Sequence, residues 1–239
     1  MVPSERPPSG RPQSGRAPRS GSRPEFAVIA FPTLAELRVR LPRLLAGIVV
    51  LGFGVTLIIQ ARLGVSPYDV LHQGLADVTG LSFGVVVVLL GLVILVAWIP
   101  LGQPFGIGTL INTLTVGFVV DAGLHLIDAP DGLALRWTML LVGIVVTALG
   151  IGLYIGAGLG PGPRDGLMTG IAAKGFPLWV VRTLLELAAL AIGWALGGDV
   201  GVGTVLFAFG IGPLGHWFLA RLHLGVGGID PDPTATVGE

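Results

Sequence analysis

Two aspartates stand at matching places in this chain. Asp69 closes the run LGVSPYD (63–69), two residues after Pro67. Asp165 closes LGPGPRD (159–165), two residues after Pro163. Proline is tolerated in the first turn of a helix, where its missing N–H would have no partner anyway. A carboxylate in that turn lies at the positive end of the helix dipole. Residues 64–67 and 160–163 therefore read as chain breaks followed by helix starts. Ser66 serves as N-cap in the first, and Gly162 takes its place in the second. Such an aspartate either only stabilises the helix start or lines a path for a solute or a proton. Arg164 adjoins Asp165. His72 follows Asp69 by three residues and so shares its helix face, either as a satisfied interior group or as a proton carrier. Arg182 and Glu186 lie four apart in an apolar run, on one helix face, and are expected to form an intramembrane ion pair; contact with a ligand is the alternative.

These groups must be positioned by elements of an unusual kind. Of 239 residues, 52% are hydrophobic and only 12% are charged, against about 25% charged in soluble domains. Mean hydropathy is +0.85. No charged residue occurs between Asp77 and Asp121, between Arg136 and Arg164, or between Asp199 and Arg221. Each gap holds a helix of about 20 apolar residues, the length that crosses a bilayer. The arithmetic excludes an ordinary soluble enzyme, and the lack of polar–apolar alternation excludes a β-barrel. There is no cysteine, hence no disulfide or thiolate chemistry, and His72, His125, His216 and His223 are not at metal-ligand spacing. No HExxH, GxSxG or P-loop ending is present. The expectation is a non-enzyme without metal or cofactor.

The chain also repeats itself. Pairing residues 37–75 with 133–171 gives 18 identities in 39 pairs, and pairing 80–119 with 175–214 gives 13 in 40; roughly a tenth would arise by chance in so biased a composition. Each copy reads as a first span (43–61; 137–158), a short polar-containing segment (66–78; 163–174), a second span (83–101; 178–197) and, after a Gly-rich turn with a Thr N-cap, a third span (107–126; 203–220). The short segments cannot cross about 30 Å of hydrocarbon, so they read as re-entrant or broken helices. The expected fold is an all-α polytopic membrane protein with six transmembrane helices in two inverted three-helix repeats. Residues 37–127 form repeat 1 and residues 128–224 repeat 2. With the N-terminus inside, twelve arginines and lysines fall on the cytoplasmic side and two, Arg62 and Arg136, outside. That bias implies that both termini are cytoplasmic.

Residues 1–36 are rich in Pro, Ser, Gly and Arg and read as a disordered basic tail, topogenic or in contact with anionic lipid. Residues 225–239 read as a disordered C-terminal tail. The lipid bilayer and a small solute or ion are the expected partners, with no role for nucleic acid. Gly47 and Gly54, Gly143 and Gly150, and Gly152, Gly156 and Gly160 form small-residue faces that suit close helix packing, including that of a homo-oligomer.

The runs LGVSPYDVLHQGL, TGLSFG and GIGTLINTLTVGFVVD, followed by LGPGPRDGLMTG, VVRTLLELAALAIGWALGG and VGVGTVLFAFGIGPL, resemble the YczE/YyaS/YitT-like family of bacterial integral membrane proteins. The resemblance covers about residues 40–220 and is closest to the YczE branch. It implies a polytopic inner-membrane protein and supplies no substrate. Two functions stay open. One is a small-solute or ion transporter, or channel-like protein, with a site between the repeats at Asp69, Asp165, Arg164, His72, Pro67 and Pro163. The other is a non-transporting regulatory or scaffolding protein that binds proteins or lipid.

Overall fold

The computed structural model describes residues 33–224. They form eight helices: α1 (Leu34–Ala61), α2 (Pro67–Thr79), α3 (Phe83–Leu101), α4 (Ile107–Leu126), α5 (Leu133–Gly156), α6 (Pro163–Ala172), α7 (Leu178–Ala195) and α8 (Val202–Leu222). Six of these, all but α2 and α6, are long and apolar enough to cross a membrane. The 13 residues of α2 and 10 of α6 extend only about 20 and 15 Å at 1.5 Å per residue. The expected C-terminal tail, and all but the last few residues of the N-terminal one, lie outside the described residues.

The first span starts earlier than the apolar run suggests. α1 begins at Leu34, inside the stretch assigned to the tail and nine residues before position 43. The cause is local: Thr33 and Glu36 form a capping box, with Glu36 N–H donating to Thr33 Oγ1 at 3.3 Å and Thr33 N–H to Glu36 Oε2 at 2.8 Å. Glu36 also pairs with Arg40, one turn on, at 3.2 Å. Likewise α5 begins at Leu133, not 137.

The centre of the bundle is the contact between α1 and α5. Gly47 lies on the Tyr154 backbone and Gly54 on that of Thr147, while Gly143 lies against Ile58 and Gly150 on the Leu51 backbone. A Cβ added at Gly54 would stand 2.5 Å from the Thr147 nitrogen, so the two helices can approach this closely only with glycine there. Gly152 and Gly156 meet α8 at Phe218 and Leu222. The glycine faces that suited a homo-oligomer are thus used within one chain. Large apolar side chains such as Val96, Leu187, Trp194 and Phe209 are exposed on the outer faces. Lipid is the solvent such a surface requires.

The short helices cross between the halves of the chain. α2 packs on α7, with Gly74 against the Gly193 carbonyl, and α6 packs on α3, with Gly166 against the Trp98 indole. The breaks before them are pinned from the opposite half. Gly203 N–H donates to the Leu63 carbonyl at 2.7 Å, and Gly108 N–H to the Leu159 carbonyl at 2.8 Å. Gly64 and Gly160, at φ +99° and +120°, supply the left-handed backbone these turns need. The threonines of the Gly-rich turns, expected to be helix N-caps, do not hold that place. Gly106 and Gly201 hold that place, with Thr109 and Thr204 three residues on. Thr109 instead donates to the Pro161 carbonyl at 2.8 Å, and Thr204 Oγ1 accepts from Gly201 N–H at 3.2 Å.

Candidate functional site

The two helix starts face one cavity of about 630 Å³, to which all eight helices contribute. Asp69, His72, Pro163, Arg164, Asp165 and Arg182 line it; Pro67 and Glu186 do not. Pro67 is buried at the first position of α2, where its fixed φ sets the entry angle of the helix.

Ser66 caps α2 as the sequence suggests, its Oγ accepting from Asp69 N–H at 3.2 Å. The same hydroxyl donates to Asp69 Oδ2 at 2.6 Å, and His72 Nδ1 lies 3.3 Å from Asp69 Oδ1. Both carboxylate oxygens are therefore engaged by residues of the same helix start. At the second start Gly162 has no side chain to offer, and Asp165 Oδ2 accepts from the Tyr154 hydroxyl of α5 at 2.9 Å. Trp98 of α3 holds the Pro163 carbonyl through its indole N–H at 3.0 Å. Tyr68 and Arg164, which precede the two aspartates, meet: the guanidinium lies 4.8 Å above the phenol ring centroid, a cation–π distance.

Arg182 and Glu186 are joined at 3.2 Å, but not as an isolated pair. Arg164 Nη2 reaches the same Glu186 oxygen at 3.5 Å. One carboxylate thus serves two guanidiniums, and the arginine at the α6 start is tied to α7. The Arg182 side chain is 42% exposed, against 19% for Glu186. Among the described residues no three His, Asp or Glu side chains gather around one point.

Two lining residues not singled out from the sequence are left with unmet hydrogen-bonding capacity. Asn112 Oδ1 and Thr147 Oγ1 are buried with no partner among the described residues. Their residues are 6% and 2% exposed. Asn112 and Tyr154 both stand within 3.4 Å of where a Gly162 Cβ would be, beside Asp165. A compositional signal was available: Asn112 is the chain's one asparagine, and Tyr68 and Tyr154 are its two tyrosines. All three line this cavity.

Six long apolar helices enclosing a cavity with buried ionisable groups define a polytopic helical membrane protein. The family model described as "Family of unknown function (DUF6198)" matches residues 39–220, and the chain belongs to that family. It is 38% identical over 177 residues to an uncharacterised protein of Haemophilus influenzae, covering 74% of this chain and 81% of that protein. It is 35% identical over 177 residues to the uncharacterised membrane protein YczE of Bacillus subtilis, covering 72% and 82%. With the uncharacterised protein YyaS of the same organism it shares 30% identity over 179 residues, covering 72% and 89%. The family is thus the YczE-like one that the sequence motifs resemble. No solved structure matches the chain.

Proposed function

We propose that this protein is a small-solute transporter of the bacterial inner membrane, built from two inverted repeats, with its site in the cavity between the helix starts at Asp69 and Asp165. The observation that carries this reading is the convergence itself. Two short helices that cannot span present matched carboxylates to one central space. Buried ionisable groups are expensive in a membrane and tend to mark solute or ion pathways. Broken helices at a repeat interface are the common construction of secondary transporters. The reciprocal contacts support the inverted relation. Gly47 on Tyr154 corresponds to Gly143 on Ile58, and Gly54 on Thr147 to Gly150 on Leu51, under the sequence pairing of the halves. The reading includes no covalent catalysis.

The topology that goes with it is six spans with cytoplasmic termini. The chain has no cysteine, so single-cysteine variants report cleanly. A membrane-impermeant thiol reagent applied to intact cells should label Asp131→Cys and spare Ser20→Cys. Labelling of Ser20→Cys from outside would invert the model.

Transport is tested with purified protein in liposomes and a panel of radiolabelled neutral, cationic and anionic small solutes. Saturable uptake of one class, lost in Asp165→Asn, is the expected result. Uptake no faster than in empty liposomes for the whole panel would overturn the reading in favour of a regulatory or scaffolding membrane protein.

A further inference from the structure

Resting on the reading of the cavity as a solute site, we propose that its ligand is a small organic monocation, a protonated amine carried on an apolar body. Its charged end would sit among Asp165, Asn112 and Tyr154.

Charge balance carries the first part. The ionisable groups lining the cavity or bonded to its lining come from five elements. They are Asp69 and His72 on α2, Tyr154 on α5, Arg164 and Asp165 on α6, Arg182 and Glu186 on α7, and His216 on α8; Tyr68 adds a phenol. Three carboxylates face two guanidiniums, so with neutral histidines the site carries one net negative charge. A monocation brings it to zero, whereas an anion makes it worse. An uncompensated charge in a low-dielectric interior is strongly disfavoured.

The distribution of unused acceptors carries the second part. Glu186 is held by Arg164 and Arg182, and Asp69 by Ser66 and His72. Among the described residues Asp165 accepts one side-chain hydrogen bond, from the Tyr154 hydroxyl, with Arg164 as the neighbouring cation. Asn112 lines the same cavity, with its Nδ2 on the Gly162 side near Asp165 and its Oδ1 buried with no donor among the described residues. An amide oxygen and a carboxylate oxygen with acceptor capacity to spare in one cavity call for a donor that brings two or three N–H groups and a positive charge, as an ammonium does.

The rest of the wall decides between an organic and an inorganic cation. Val87, Ile94, Val116, Ile151, Phe207 and Ile211 face the same space. A bare ion would leave this apolar surface empty. A hydrocarbon or aromatic body attached to the ammonium would fill it, and predominantly apolar walls with a few fixed polar groups are the usual make-up of an organic ligand site.

The test uses full-length protein in detergent and three probes of one shape: 2-phenylethylammonium, neutral 2-phenylethanol and anionic 3-phenylpropionate. Equilibrium binding by calorimetry should be saturable for the ammonium and at least tenfold weaker for the other two. Asn112→Ala and Asp165→Asn should each weaken the ammonium at least tenfold, while Asp165→Glu keeps measurable binding. The probe series on the native protein needs no variant to fold. Preference for the carboxylate or the alcohol, binding of sodium or potassium that displaces the ammonium at equal concentration, or no saturable binding of the ammonium up to 10 mM on the order of a weak ligand's range, overturns the proposal. Ammonium binding without liposome uptake would sink the transport reading and leave the ligand class standing. Uptake of an anionic or neutral solute alone would do the reverse.

Discussion

The starts of α2 and α6 share the Pro-x-Asp pattern and differ in almost everything around it. At the first, Ser66 and His72 close both oxygens of Asp69 from within the same turn and a half of helix. At the second, Gly162 and Met168 stand where Ser66 and His72 would be, and the carboxylate turns to Tyr154 on another helix. Tyr68 precedes one aspartate and Arg164 the other, and the two stack. One copy keeps its charge satisfied locally; the other ties its charges to α5 and α7. Position in a repeat therefore sets where a carboxylate stands, and its partners set what it is free to bind.

The Glu186 network tests this contrast most severely, because the first half carries Val87 and Gly91 at the corresponding places. Glu186→Leu strands both Arg164 and Arg182 and should destabilise the protein by about 1–3 kcal/mol, less than a fully buried pair because the Arg182 side chain is 42% exposed. Arg182→Leu leaves Glu186 paired with Arg164 and should cost far less. The double variant should stay as unstable as Glu186→Leu, since Arg164 is still unpaired. Melting of the detergent-solubilised proteins checks the order, and recovery in the double variant would show that Arg164 does not depend on Glu186.

The aspartates come next. Asp165→Asn should reduce ligand binding and uptake more than Asp69→Asn, with both variants accumulating in the membrane. The expected gap is about tenfold, one charge-assisted hydrogen bond. Equal loss would mean that Asp69 gives up Ser66 or His72 to the ligand and that the two starts work alike.

Exchanging the caps has a smaller effect. Ser66→Ala removes a cap and a donor to Asp69, a change of about 1 kcal/mol in melting experiments. Gly162→Ser should bring no matching gain, because its Cβ would stand 2.8 Å from the Tyr154 hydroxyl. A stabilised Gly162→Ser would break the asymmetry. The last test is His72→Met, which gives the first start the second's residue. Loss of its bond to Asp69 should cost about 0.5–1.5 kcal/mol, with amine binding retained; loss of binding would assign His72 to the site.

Much of this architecture was legible in the sequence because bilayer length and helix periodicity leave few choices. The ends of α3 and α4 agree with the expected 83–101 and 107–126, and Pro67, Pro163 and the aspartates mark both short helices. The early start of α1 was hidden because Arg38, Arg40 and Arg43 interrupt the apolar run, although the Thr33–Glu36 capping pattern was there to be read. Partners were the harder part. Tyr154 reaches Asp165 across 11 residues of chain, and Arg164 reaches Glu186 only because α6 lies beside α7. Asn112 meets Gly162 through tertiary packing alone. Spacing within one helix cannot reveal contacts of this kind.

The paired bonds from Gly203 to Leu63 and from Gly108 to Leu159 bear on how the protein is born. A ribosome delivers the first 127 residues before the rest. At that moment the Leu63 carbonyl and the Gly108 amide lack these partners, and a peptide group left unmet away from water costs roughly 1–3 kcal/mol. The nascent first half must therefore hold these groups near water, or in the translocation machinery, until the second half emerges. A chain that stalls midway should therefore lack both bonds, and such an insertion intermediate is expected to fall to membrane proteases sooner than the complete fold.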